Sequence, residues 1–250
     1  MDSIEKILED KLYIAGPCSI ESKEQILDIG KKVKALGANV LRGGAFKPRT
    51  SPDSFQGLGK EGIDYLVEVK KELDLPIVTE IVDINHLSYY EDVDIIQVGA
   101  RNMQNFELLK ALGKTDKWIL LKRSFGCTVN EWLSAAEYIK AGGNDKIILC
   151  ERGIRTFEDS TRFTFDVNAI AVVKDKSAYK IIVDPSHATG NSRYVESATY
   201  AGIASGADGF IIEIHDNPKE SITDPDQAIT PDTLEKIIKN SNKIKDIIEE

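Results

Sequence analysis

The sequence predicts an α/β protein folded as a single (β/α)8 barrel, and two observations carry this prediction. Eight short apolar runs divide the chain into near-even steps, and each run is followed by a stretch with helical apolar spacing. Strands that alternate with helices indicate a parallel sheet, and eight such units in 250 residues match the size of a closed barrel. Hydrophobic residues make up 42% of the chain, which is enough for a sizeable core.

The predicted strands follow one another at similar intervals along the chain. In order they are Leu12–Cys18, Asn39–Gly44, Ile77–Ile81, Asp94–Gly99, Trp118–Ser124, Lys146–Gly153, Tyr179–Ser186 and Gly209–His215. The short lead before them, residues 1–11, either covers the lower end of the barrel or frays. We expect one catalytic domain over residues 1–250 and no separate regulatory domain, although a partner protein could supply feedback control.

Capping residues mark the first and last helices that flank the strands. Ser22 caps a helix over Lys23–Leu36, which ends at Gly37. The last helix begins near Thr230-Pro231, because the threonine hydroxyl can cap it and proline fits the first turn. Its predicted inward residues are Leu234, Ile237, Ile238, Ile244 and Ile247.

Composition excludes several classes of protein. The net charge of −9 argues against a general nucleic-acid surface, and no apolar run is long enough to cross a membrane. The N-terminus does not resemble a signal peptide, so we expect a cytoplasmic protein. The cysteines Cys18, Cys127 and Cys150 do not suggest a disulfide framework in a chain of this length. We interpret Cys127 and Cys150 as structural thiols and keep Cys18 as a candidate metal ligand.

The ends of the predicted strands carry most of the chemically capable side chains. In a barrel the carboxyl ends of all strands converge on one rim, which is where active sites of this architecture lie. The residues at or just beyond these ends are Cys18, Arg42, Glu80, Arg101, Lys122, Arg152, His187 and Glu213. This concentration predicts an active site at the carboxyl rim.

A candidate metal site is formed by a thiol, an imidazole and two carboxylates: Cys18, His187, Glu213 and Asp224. This mixed donor set suits Mn, Fe, Co or Zn better than Mg or Ca. The prediction depends on barrel closure, which makes the first and eighth strands neighbours. The alternative is structural: a small buried cysteine, an ion-paired glutamate and a rim histidine with its hydrogen bonds satisfied.

Basic residues define two candidate anion sites on the same rim. The first consists of Arg42, Arg101, Lys122 and Arg152, whose charges would repel one another without a multiply charged anion between them. Salt bridges to rim carboxylates such as Glu80 or Glu151 are the alternative. The second is the loop Lys47–Ser51, stiffened by prolines, which otherwise is an ordinary basic turn. Two basic sites suggest two phosphorylated substrates.

Several motifs together resemble a known family of enzymes. They are Ala15–Ser19, Leu41–Gly44, Lys47–Ser51, Gln97–Asn102, Leu121–Arg123, Cys150–Arg155, Asp184–His187 and Ile212–His215. Across nearly the whole chain they resemble 3-deoxy-D-arabino-heptulosonate 7-phosphate (DAHP) synthases, of the microbial type that shares ancestry with 3-deoxy-D-manno-octulosonate 8-phosphate (KDO8P) synthases. The resemblance implies the first step of the shikimate pathway, in which phosphoenolpyruvate (PEP) condenses with erythrose 4-phosphate and inorganic phosphate is released. It also implies one divalent metal ion and a homotetramer.

The resemblance assigns roles to individual positions. It makes Cys18, His187, Glu213 and Asp224 the metal ligands, although Pro225 departs from the family pattern and leaves Asp226 as an alternative to Asp224. Arg101, Lys122 and Arg152 resemble the PEP phosphate site, and Arg42 with Lys122 resembles its carboxylate site. Lys47 resembles a residue at the reacting centre, and Glu80 one that holds a water. Arg49 and Thr50 resemble the anchor for erythrose 4-phosphate.

Three rival functions are weighed against this one. KDO8P synthases use arabinose 5-phosphate and usually carry an Ala-Asn-Arg-Ser type of loop, whereas this chain has Lys47–Ser51. Cys18 also differs from the asparagine of the metal-independent KDO8P enzymes. A Schiff-base aldolase using Lys122 and a non-enzymatic phosphosugar-binding barrel are the other two. Neither needs the combination of Cys18, His187 and Glu213 with two basic sites.

Overall fold

Eight parallel strands close into a barrel in the computed structural model, which describes residues 4–48, 51 and 53–249. Each strand pairs with the next along the chain, and the last pairs with the first. The strands are β1 Leu12–Gly16, β2 Val40–Arg42, β3 Ile77–Ile81, β4 Ile95–Val98, β5 Trp118–Lys122, β6 Ile147–Glu151, β7 Lys180–Val183 and β8 Gly209–Glu213. The predicted (β/α)8 barrel is confirmed, and all strands except β3 are shorter than their apolar runs.

Helices surround the barrel, but the alternation is not uniform. The α-helices of the described residues are α1 Ile4–Asp10, α2 Lys23–Ala35, α3 Lys60–Leu73, α4 Phe106–Leu112, α5 Val129–Lys140, α6 Asn168–Lys176, α7 Pro185–Thr189, α8 Ser192–Ala204 and α9 Pro231–Glu249. Short 3-10 helices cover Ile84–Tyr90, Ala100–Asn102 and Pro218–Glu220. The first of these takes the place of an α-helix between β3 and β4, and two helices, α7 and α8, connect β7 to β8.

The predicted caps are present, and one predicted buried residue is wrong. The Ser22 hydroxyl accepts a hydrogen bond of 3.1 Å from the Gln25 backbone N–H, and α2 ends at Ala35, one residue earlier than predicted. Helix α9 begins at Pro231 as predicted. Ile247, predicted to point inward, is 70% exposed. The reason is that residues 246–249 are all exposed, so the helix has nothing to pack against there.

Two apolar layers hold the barrel together. Alternate strand residues face the helices, while the others, including Ile14, Val78 and Cys150, fill the barrel interior. Leu8 of α1 is buried against that interior cluster, with Ile4 and Ile7 packed beside it. Helix α1 therefore covers the amino end of the barrel, which decides between the two alternatives for the N-terminal lead.

Closure of the barrel brings the segments that follow the first and last strands together at the carboxyl rim. Gly16 of β1 is in register with Glu213 of β8, so the segment after β1 meets the segment after β8. A hydrogen bond of 2.7 Å between the hydroxyls of Ser19 and Thr223 joins these segments. Among the described residues, no helix combines the length and apolar character needed to span a membrane.

Candidate active site

A thiol and two carboxylates converge where β1 and β8 end. Candidate ligand atoms of Cys18, Glu213 and Asp224 all lie within 4.8 Å of one another. The Cys18 thiol donates a hydrogen bond of 3.2 Å to Oδ2 of Asp224. Asp224 has a left-handed backbone with φ of 50°, an uncommon conformation for a residue other than glycine. The alternative ligand, Asp226, is exposed and lies outside this group.

His187 borders this group without belonging to it. The imidazole Nδ1 lies 2.8 Å from Oδ2 of Asp184, and Nε2 lies 3.4 Å from Oε1 of Glu213. Asp184 also caps α7, because its Oδ1 accepts a 2.9 Å hydrogen bond from the His187 backbone N–H. Burial lowers the pKa of His187, which favours the neutral ring. A neutral ring with its proton on Nδ1, the nitrogen nearer to Asp184, would carry its lone pair on Nε2, the nitrogen nearer to Glu213.

Glu213 is buried among several polar partners. Its Oε1 lies 3.1 Å from a guanidinium nitrogen of Arg42, and its Oε2 accepts a 2.6 Å hydrogen bond from the Gln227 amide. Burial alone would raise the pKa of Glu213, but Coulombic interactions with His187, Arg42 and Lys47 outweigh it and lower the pKa to about 2. This carboxylate is therefore ionised at neutral pH.

Cys18 is held in the opposite protonation state. Burial, reinforced by the nearby charge of Glu213, raises the pKa of the Cys18 thiol to about 12. The Lys47 ammonium donates hydrogen bonds to Sγ at 3.0 Å and to the Cys18 carbonyl at 3.2 Å. Lys47, from the loop after β2, is thereby fixed beside the thiol.

The residues of this cluster fit a divalent metal ion. Oε1 of Glu213 is buried and accepts no hydrogen bond of regular geometry, although Arg42 and His187 lie close to it, so it retains acceptor capacity. A thiol, two carboxylates and a neighbouring imidazole are the donors that borderline metals such as Mn, Fe, Co and Zn accept. The metal could be held by Cys18, Glu213 and Asp224, with His187 adjacent.

Two contributors to the cluster were missed by sequence reasoning. The Gln227 side chain donates to Glu213 and also accepts a 2.9 Å hydrogen bond from Arg162, which itself lies 3.7 Å from Oδ1 of Asp224. Gln227 is buried in the segment that contains Asp224, and its closeness to that acid was the available signal. Arg162 lies far from any strand end, and nothing in the sequence pointed to it.

A cavity of about 770 Å³ opens beside the cluster and is rich in cations. Lys47, Lys122 and His187 line it, and so do Glu80 and several arginines, which are Arg101, Arg152, Arg155 and Arg162. Arg42 lies at the base of the site in contact with Glu213. The structure thus brings the described members of both predicted anion sites to one rim. Arg49 and Thr50 lie outside the described residues, whereas the adjoining Pro48 and Ser51 line the cavity.

Salt bridges to Glu80 or Glu151 were the alternative role for these cations, and the structure pairs them differently. Glu151 pairs with Arg123 at 2.9 Å, and Glu80 accepts a hydrogen bond from Gln97, so neither pairs with the predicted cation set. Lys122 instead lies 2.5 Å from Asp184. Arg42 and Arg152 each keep a buried terminal nitrogen, NH1, without a hydrogen-bond partner. Such donors are what a bound anion would satisfy.

Fold and site together define a barrel enzyme that handles anionic small molecules at its carboxyl rim. The chain belongs to the DAHP synthetase I family, whose model matches residues 6–250. It is 45% identical over 94% of its length to the phospho-2-dehydro-3-deoxyheptonate aldolase of Thermotoga maritima, covering 70% of that protein. The crystal structure of a Thermotoga maritima DAHP synthase superposes with a TM-score of 0.92 at 45% identity, covering 95% of this chain and 70% of that one.

A more distant relative is named for a second activity. The 2-dehydro-3-deoxyphosphooctonate aldolase of Desulfotalea psychrophila is 28% identical over 96% of this chain and 91% of that protein. The higher identity to the heptonate enzyme agrees with the branch that the Lys47–Ser51 segment predicted.

Proposed function

We propose that this chain condenses PEP with erythrose 4-phosphate to give DAHP and inorganic phosphate, the first step of the shikimate pathway. One observation carries the proposal: the same cavity is lined by Asp224 of the thiol–carboxylate cluster and by Arg152, whose buried NH1 has no hydrogen-bond partner. Membership of the DAHP synthetase I family supports it. The 28% identical octonate enzyme makes arabinose 5-phosphate the second candidate acceptor.

The cations are suited to bind PEP in one orientation. Arg101, Lys122 and Arg152 line the cavity and would bind the phosphate, while Arg42 and Lys122 would bind the carboxylate. Guanidinium groups form paired hydrogen bonds with both anions. Binding at both ends would place the carbon–carbon double bond of PEP beside the cluster, which lowers the entropic part of the barrier.

The reaction then needs one carbon–carbon bond and one proton at a defined oxygen. C3 of PEP bonds to the aldehyde carbon of erythrose 4-phosphate, and the aldehyde oxygen takes up a proton, which Lys47 is placed to donate from its position at Cys18. Water adds at C2 of the former PEP, and the bond from C2 to the phosphate oxygen breaks. Glu80, which lines the cavity, is the acid we assign to holding that water.

A divalent metal ion, one of Mn, Fe, Co or Zn, belongs to this proposal. Cys18, Glu213 and Asp224 would hold it together with His187, as the convergence of their ligand atoms and the mixed donor set support. Such an ion supplies Lewis-acid polarisation of a carbonyl oxygen when bound. We further propose a homo-oligomer, a tetramer by the family resemblance, which light scattering of the full chain would measure.

The deciding experiment measures phosphate release from PEP with each of the two aldose phosphates, with and without a chelator. We expect release with erythrose 4-phosphate, much less with arabinose 5-phosphate, and loss of activity on chelation that is restored by Mn²⁺. Preference for arabinose 5-phosphate would replace the proposal with KDO8P synthase. Binding of PEP without phosphate release would indicate a binding protein.

The alternative reaction, a Schiff base formed by Lys122, can be tested by trapping a covalent adduct. Lys122 is buried in an ion pair with Asp184, an arrangement that favours a binding cation over a nucleophilic amine. We therefore expect that borohydride treatment in the presence of substrate leaves the mass of the protein unchanged. A covalent adduct on Lys122 would contradict the metal-dependent route.

A further inference from the structure

Arg152 differs from the other buried cations of the site because no carboxylate forms an ion pair with it among the described residues. Arg42 lies against Glu213, and Lys122 lies against Asp184. The Arg152 side chain is equally buried, with the residue 4% exposed, and its NH1 has no hydrogen-bond partner. A buried charge without a counter-ion is costly unless another group stabilises it.

Aromatic rings take the place of the missing carboxylate. The guanidinium carbon of Arg152 lies 4.1 Å from the ring centroid of Phe163 and 5.4 Å from that of Phe125. These two rings stack on each other, with centroids 5.4 Å apart and planes inclined by 13°. They also face three further arginines at 5.7 to 5.9 Å, which are Arg101, Arg155 and Arg162.

The backbone around Phe163 holds its ring in this position. The Phe163 N–H donates a 2.9 Å hydrogen bond to the Ala188 carbonyl, and the next residue, Thr164, forms an antiparallel bridge with Ile154. Gly153 follows Arg152 directly and has a φ of +86°, and a Cβ atom there would lie 2.7 Å from Cβ of Phe163. The backbone and Cβ of Phe163 are thus held between the end of β6 and helix α7, which fixes where the ring begins.

We propose that Phe163 is a positioning residue for Arg152, holding the guanidinium in place while leaving its N–H groups free for the phosphate of PEP. A carboxylate partner would compete with the incoming phosphate for the same N–H donors, and the phosphate would have to displace it. The face of a ring attracts the cation through its quadrupole and accepts none of the in-plane hydrogen bonds. The inference rests on the proposed function for the identity of the anion.

The test compares Phe163→Leu, which keeps an apolar side chain but removes the ring, with Phe163→Tyr, which retains the ring. We expect Phe163→Leu to raise the KM for PEP about tenfold, or about 1.4 kcal/mol. The kcat and the KM for erythrose 4-phosphate should change by less than about twofold, since the cation–π contact acts on the phosphate site alone. Phe163→Tyr should restore the KM for PEP.

The matched control is Phe106→Leu, which removes a ring stacked on Tyr138 at the start of α4, away from the cavity residues. It should leave all three kinetic constants unchanged. Circular dichroism melting of each variant verifies that the fold is kept, and Phe163→Met serves as a second ring-free variant if Phe163→Leu does not fold.

Equilibrium dialysis of labelled PEP against the chelated protein separates this inference from the proposed function. If the wild type fails to turn over but binds PEP, the proposed function fails and the affinities of the Phe163 variants still test the inference. A KM and a dialysis affinity for PEP that are the same in Phe163→Leu and the wild type would overturn it. A fall in kcat accompanied by comparable rises in both KM values would also overturn it, because that pattern would indicate a merely structural role.

Discussion

Gln227 donates a hydrogen bond of 2.6 Å from its side-chain amide to Oε2 of Glu213. This bond occupies Oε2 and leaves Oε1, which lies near Arg42 and accepts no hydrogen bond, as the oxygen with acceptor capacity to spare. The same amide accepts a hydrogen bond from Arg162, so its orientation is fixed from both sides. Gln227 therefore determines which oxygen of Glu213 is available to a cation.

We expect Gln227→Leu to weaken Mn²⁺ binding about 10- to 100-fold, because partners that orient ligands typically contribute that much to metal affinity. Calorimetric titration of the chelated protein with Mn²⁺ measures this without relying on turnover. Gln104→Leu, at an exposed position, is the matched control and should bind Mn²⁺ like the wild type. Unchanged affinity in Gln227→Leu would show that Glu213 needs no such orientation.

Metal binding should strengthen as the pH rises. Burial raises the pKa of the Cys18 thiol to about 12, so the proton must leave before sulfur can bind a cation. Protons therefore compete with the metal, and affinity should increase by up to about tenfold per pH unit between about pH 6.5 and 8.5. Calorimetry in buffers with different ionisation enthalpies should detect the released proton.

Cys18→Ala removes the group responsible for that pH dependence. The variant should keep its fold while losing metal-dependent phosphate release, and its residual metal binding should have a flatter pH profile. Cys127→Ala removes another buried thiol and should behave like the wild type. Full activity of chelated Cys18→Ala would contradict the assignment of Cys18 as a ligand.

Arg49→Ala tests the two-substrate arrangement of the rim. The loop residue before it, Pro48, lines the cavity, and Arg49 is the anchor that the family resemblance assigns to the aldose phosphate. We expect the KM for erythrose 4-phosphate to rise at least about tenfold, since a charge-assisted contact to phosphate is lost. The KM for PEP should change far less. Equal effects on both substrates would argue against two separate sites.

Leu8→Ala tests the contribution of helix α1 to stability. Leu8 is buried against the cluster inside the barrel, and truncating it should lower the free energy of unfolding by about 2 to 4 kcal/mol. Ile247→Ala, at an exposed position of α9, should change it by less than about 0.5 kcal/mol. Urea denaturation followed by circular dichroism measures both. A small effect of Leu8→Ala would mean that α1 packs only loosely on the barrel.

Periodicity was sufficient to predict the barrel, because strands buried on both faces and amphipathic helices leave clear apolar patterns. It also placed Cys18 and Glu213 together, since strand order alone makes β1 and β8 neighbours. Periodicity did not show where α9 loses its packing partner, so Ile247 was assigned to the wrong environment. Burial at a helix end depends on how far the neighbouring elements extend, which one segment's pattern does not contain.

Contacts between side chains on different loops could not be predicted from the sequence. Which of Asp224 and Asp226 lies near Cys18 and Glu213 depends on the path of the loop after β8, and sequence spacing does not give that path. The position of His187, beside Glu213 but outside the three-residue group, depends likewise on the geometry of α7. The contact of Arg152 with Phe163 joins residues eleven positions apart through a loop bridge that has no periodic signal.

The alignment of Gly16 with Glu213 has a consequence for biosynthesis of the enzyme. Cys18 and Asp224 are 206 residues apart in the sequence, so a ribosome must deliver everything between them before the cluster can form. A product that ends before β8 would lack both Glu213 and Asp224. We therefore expect the proposed metal site to form only after the last strand has docked against the first.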